Sequence, residues 1–156
     1  MPVMSFSTEE RVRFHELGPD GRLRPDALLD WLQETAGRHA QVLGRDVLDL
    51  QQRGLSWALA RQRVSVRRLP VADDRVQITT WAAERERSLL YRDFRLTDAD
   101  GSEVASASTA WVVLDLATRA AVADPGPLVE GVAFENRRAL TFATRTIAAV
   151  RKPTVE

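Results

Sequence analysis

"LLDWLQETAGRHAQVLG", residues 28–44, is the stretch that decides the fold. Leu28, Leu32, Ala36, His39 and Leu43 recur at three- or four-residue spacing, the signature of an amphipathic helix. Pro25 suits its first turn, where a missing N–H costs nothing, and Asp26 places a negative charge at the positive end of the helix dipole. Gly44 supplies the C-terminal stop. The helix also carries a carboxylate, Glu34, a glycine, Gly37, and a histidine, His39. The functional question is whether these are solvated decoration or chemistry.

Upstream, "RVRFHEL" (11–17) reads as a strand and "GPDGRLRP" (18–25) as a turn. "VLDLQQRG" (47–54) predicts a second short helix ending at Gly54. From Leu55 the period becomes that of strands: "LSWALARQRVSVRRL" (55–69), "RVQITTWAA" (75–83), "LLYRDFRLTD" (89–98) and "EVASASTAWVVLDL" (103–116). Short turns between them exclude parallel crossovers. The small residues at 104–110 let a helix approach the sheet closely. The fold class is therefore α+β: a curved antiparallel sheet wrapped around one long helix, the hotdog fold. Residues 1–156 make one domain with its core at about 11–122, and the tail, 123–156, is a final strand or a linker.

Composition narrows the function classes. With 156 residues and 44% hydrophobic content the chain supports a real core. Net charge is zero, so nothing marks a nucleic-acid or anionic-membrane binder. There is no cysteine, which removes thiol nucleophiles and thiolate metal sites, and two histidines make a histidine-rich metal site unexpected. No apolar run approaches a bilayer span. The start, "MPVMSFSTEE", lacks a secretory core, so a soluble cytoplasmic protein is the expectation.

Together the quoted helix, "LSWALARQRVSVRRLPVADDRVQITTW" and "YRDFRLTDADGSEVASASTAWVVLDLATR" resemble the first hotdog repeat of the fatty acyl–acyl carrier protein thioesterases, over roughly residues 12–122. The resemblance implies hydrolysis of an acyl thioester carried on the substrate's own phosphopantetheine, with no further cofactor. Acyl carrier protein or coenzyme A would be the carrier. It also implies hotdogs paired face to face, as a homodimer or tetramer, with the active site at the seam. Two-repeat members carry a catalytic D-x-N-x-H pattern in their second repeat. Here the corresponding loop has Asp20, but Arg22 and Arg24 at the other polar positions, so that set does not transfer. A catalytically silent acyl-binding module and a hotdog lyase, of the hydroxyacyl dehydratase or polyketide cyclase type, are the alternatives.

Thioester hydrolysis needs an activated water or a nucleophile, and donors for the developing oxyanion. Glu34 is the leading carboxylate and Asp20 the second, with free N–H groups around Asp26 and Ala27 as oxyanion donors. The bland readings are an ion pair of Glu34 with Arg38 and a turn role for Asp20. His39 is a supporting, hydrogen-bonded residue on the apolar stripe. Trp57 and Trp81 are candidate walls of an acyl tunnel, as is Trp111. Arg92 shares a strand face with Leu90, Phe94 and Leu96 and must find a carboxylate, a seam or a phosphate. Arg61, Arg63, Arg67 and Arg68 make a basic strand, either a solvated edge or a landing site for an acidic carrier or a nucleotide phosphate.

Overall fold

The periodicity at 28–44 folds as read: helix α1 runs Pro25–Val42, and Gly44, at φ +65, ends it. In the computed structural model, which describes residues 5–142, α1 is followed by α2, Val47–Gln52, capped by the Asp46 carboxylate on Asp49 N–H. The strands are β1 (Ser5–Arg11), β2 (Leu55–Val66), β3 (Arg75–Glu86), β4 (Leu89–Thr97) and β5 (Glu103–Asp115). They form one antiparallel sheet in the order β1-β3-β4-β5-β2. Register shifts at Leu59/Arg61 in β2 and at Ala82/Glu84 in β3 help the sheet to curl around α1.

Trp31, Leu28, Leu32 and Ala36 of α1 pack on Val76, Ile78, Phe94 and Leu96. Ala105 and Ala107 of β5 belong to the same cluster, so small side chains do let the helix sit close. A second cluster joins Leu50 of α2 to Leu90, Val113, Trp57 and Trp111.

One expectation needs correction. The first strand is 5–11, not 11–17, because the alternation of "SFSTEER" pairs with β3. Residues 14–16 form a single 3-10 turn instead, fixed by the Glu16 carboxylate. That carboxylate is buried and accepts from Arg13 N–H and from Trp31 Nε1 at 3.0 Å. Replacing Trp31 with Phe removes a donor and leaves a buried carboxylate oxygen unpaired. A loss of about 1–3 kcal/mol in denaturant unfolding is expected, and a loss within about 0.5 kcal/mol would mean that oxygen finds water.

The tail, expected as a final strand or a linker, is described as far as Phe142. Residues 116–142 hold no strand; after one 3-10 turn at Gly126–Leu128 they form a strap whose first part, 129–134, packs with the second cluster and whose second part, 137–142, crosses the outer face of the sheet. Arg138 and Ala139 N–H bind the fully buried Asp93 carboxylate, Ser108 and Leu140 bond to one another, and Trp81 Nε1 donates to Arg137 O. A final strand within 143–156 lies outside the described residues.

Candidate functional site

Between the C-terminal half of α1 and the β2–β5–β4 side of the sheet lies a cavity of about 560 Å³. Its size and apolar walls suit a small-molecule ligand. Trp57, Leu90 and Trp111 give one wall, Ala36, Gly37 and Ala40 the helix side, and Val129, Val132 and Phe134 the strap side. The helix side is open because those residues are small. The tryptophans are fixed by their N–H groups: Trp57 donates to Arg45 O and Trp111 to Thr109 Oγ1.

Polar groups are few and unevenly placed. Glu34 is exposed at the rim and bonded to Arg38 at 2.6 Å. Its side chain stays about half-exposed (55%), so the chain by itself does not bury this carboxylate. Asp46 is occupied as the α2 cap. Arg45 is spent on the carbonyls of Leu43, Gly44, Leu128 and Glu130.

Arg92 comes from the sheet side of the lining. On the inner face of β4, Leu90 and Arg92 line the cavity, while Phe94, the next inward residue, is fully buried in the core. Arg92 Nη1 donates to His39 Nδ1 at 2.7 Å and to Thr80 Oγ1 at 3.1 Å. A guanidinium has no acceptor, so His39 must carry its proton on Nε2. His39 is buried and stacks on Phe6 at 5.5 Å, and its Nε2 has no hydrogen-bond partner among the described residues. Burial, and then the Arg92 charge, push its pKa down to about 4. Burial also lowers Arg92 to about 10, which still leaves it charged at neutral pH. The sequence required a carboxylate, a seam or a phosphate for Arg92; within the described chain it has two neutral partners instead.

The structure divides the other sequence candidates. Trp57 lines the cavity, and Trp111 lines it too. Trp81 does not: it faces outward, buried under the strap with Arg137 over its ring at 3.8 Å. Asp20 is a turn residue, its carboxylate accepting from Arg22 N–H, and lies outside the cavity lining. Asp26 is exposed and paired with Arg24, Ala27 is buried, and neither shares the cavity with Glu34 in the same chain. Arg61 lies over the Phe142 ring on the outer face. Arg67 pairs with Glu103, and Arg68 with Asp74 and Asp98, so carboxylates of the chain itself already hold these charges. Among the described residues no His/Asp/Glu group is arranged to hold a metal ion, and no helix is long and apolar enough to cross a membrane.

A sheet wrapped around one long helix defines a hotdog protein. Residues 4–128 match the family model described as the acyl-ACP thioesterase N-terminal domain, and the chain belongs to that family. A palmitoyl-acyl carrier protein thioesterase of Cuphea hookeriana is 30% identical over 121 residues, which cover 73% of this chain and 29% of the relative. The chain thus spans about a third of the length of that relative. The solved 12:0-ACP thioesterase of Umbellularia californica superposes with a TM-score of 0.83 at 22% identity, over 99% of this chain and 63% of that one. A Staphylococcus aureus protein crystallised in complex with CoA has a TM-score of 0.78 at 13% identity, over 97% of this chain and 98% of its own. These two likenesses show the fold.

Proposed function

We propose that the protein binds the acyl chain of an acyl thioester in this cavity and takes part in its hydrolysis. The observation that carries the reading is the apolar, tryptophan-walled cavity beside α1 in a chain of the acyl-ACP thioesterase family. The thioester arrives on acyl carrier protein or coenzyme A, and its phosphopantetheine arm belongs to the substrate. Glu34 is the carboxylate of the reaction, because among the cavity carboxylates Asp46 is committed to a helix cap. Since Asp26 and Ala27 lie elsewhere in the chain, donors for the thioester oxygen come from across a subunit seam. Release of free thiol from dodecanoyl thioesters of both carriers tests this, with binding measured in parallel. Neither binding nor release would end the reading.

Binding without release would favour a silent acyl-binding module. The Glu34–Arg38 ion pair is the observation on that side.

The seam itself has physical support. β2 is an edge strand of the sheet, and an open edge is a liability in solution. Val42, Val47, Leu48 and Leu59 are large apolar side chains left exposed. A two-fold dimer covering them and flanking the cavity mouth is expected. Sedimentation at micromolar concentration checks it: a species of twice 17.4 kDa is the expected result, and a monomer would remove the shared site.

A further inference from the structure

The lining of the cavity is unusual for a site that holds alkyl chains. Beside its aliphatic and aromatic side chains it includes a cation from the sheet, Arg92. Only Nη1 of that guanidinium is engaged, by His39 and Thr80. Nε and Nη2 make no hydrogen bond to the protein among the described residues, and neither is sealed away as a buried, unpaired atom. No carboxylate among the described residues pairs with it: Asp93, its neighbour in sequence, points to the outer face and is held by Arg138. The rim carboxylate, Glu34, is held by Arg38. Thr80 and His39 fix the fork in place from below, and His39 stays neutral, so the charge is not cancelled.

A charged fork with two free donors inside an apolar enclosure is selective for an oxyanion, and a carboxylate matches its planar geometry. We propose that Arg92 is a carboxylate-binding residue in the wall of the acyl cavity, positioned by His39 and Thr80. This deepens the acyl-thioester reading and rests on it. The carboxylate has two possible sources. One is the far end of a dicarboxylic acyl chain whose thioester lies at the Glu34 rim. The other is the head group of a free fatty acid entering carboxylate first.

Calorimetric titration of the full chain with dodecanoate and with dodecan-1-ol tests the proposal. Dodecanoate is expected to bind about tenfold or more tightly than the alcohol, as a charge-assisted hydrogen bond implies. Arg92→Gln and Arg92→Met should erase that preference while changing the alcohol's affinity little. Arg92→Lys, which keeps a cation, should retain part of it. Equal binding of acid and alcohol by the unaltered protein overturns the proposal, and that comparison needs no variant to fold. So does a preference that survives in both neutral variants. If neither ligand binds, the acyl-cavity reading falls as well, whereas equal binding leaves that reading standing. Dodecanedioyl-CoA against dodecanoyl-CoA separates the two sources. A tenfold advantage for the diacid thioester, lost in Arg92→Gln, identifies the distal carboxylate. Equal thioester affinities beside tight dodecanoate binding identify the free acid.

Discussion

Glu34→Gln is expected to lower kcat for acyl-thioester hydrolysis by about 10²–10⁴-fold while KM barely changes. The substitution keeps the side-chain shape and removes the charge. Folding should survive, because Glu34 is exposed and its ion pair with Arg38 is a surface pair. Such i,i+4 pairs contribute about 0.3–0.5 kcal/mol. A large activity loss without a stability loss therefore separates a catalytic carboxylate from a helix-surface one. Asp20→Asn is the control. Its oxygen can still accept from Arg22 N–H, so it should cost little. Reversed results would move the chemistry to the loop. If neither change affects a protein that does hydrolyse thioesters, the Glu34 mechanism is wrong.

Acid is expected to weaken the fold through His39. Its pKa is depressed from 6.5 to about 4 by burial and by Arg92. Between those values the unfolded chain takes up a proton that the folded chain refuses, so stability falls as pH falls from about 6.5 toward 4. A gap of that width amounts to about 3 kcal/mol. Protonating Nδ1 would also break the hydrogen bond from Arg92 and set one cation against another. Asp93 acts with the opposite sign. Burial raises its pKa, so its contribution improves as pH falls toward 3.8. The measurement is therefore a difference: unfolding free energy against pH for the protein and for His39→Gln, whose amide oxygen can still accept from Arg92. The variant should lose most of the fall between pH 6.5 and 4. Parallel pH curves would show that His39 does not hold the depressed pKa.

How much of this was legible in the sequence depends on how local the signal was. The helix at 25–42 and the strands β2–β5 declared themselves by period, and "EVASASTAW" announced a close approach that Ala105 and Ala107 make. The face shared by Leu90, Arg92, Phe94 and Leu96 was also readable. β1 was misplaced because "RVRFHEL" alternates as well as "SFSTEER" does. Only the tertiary partner β3, and the demand of Glu16 for two donors, decide between them. The strap carried no periodicity at all. Its one sequence trace was Trp81, a large apolar side chain on the otherwise polar side of an alternating strand, which needed something to cover it. The pairing of His39 with Arg92 spans 53 residues. Each was suspect alone for standing on an apolar face, but spacing along the chain could not join them. The pairing of the basic strand was not legible because Glu103, Asp74 and Asp98 reach Arg67 and Arg68 only once the sheet and its turns have formed.

The central claim is that the cavity beside α1 holds an acyl chain. The most direct measurement is a crystal structure of the protein with S-dodecyl-CoA, a thioether that cannot be hydrolysed. The dodecyl chain should lie between Ala36–Ala40 of α1 and the Trp57, Leu90 and Trp111 wall, with its sulfur near Glu34 at the rim. A chain bound elsewhere on the protein, with that cavity unfilled at saturating ligand, would contradict the account.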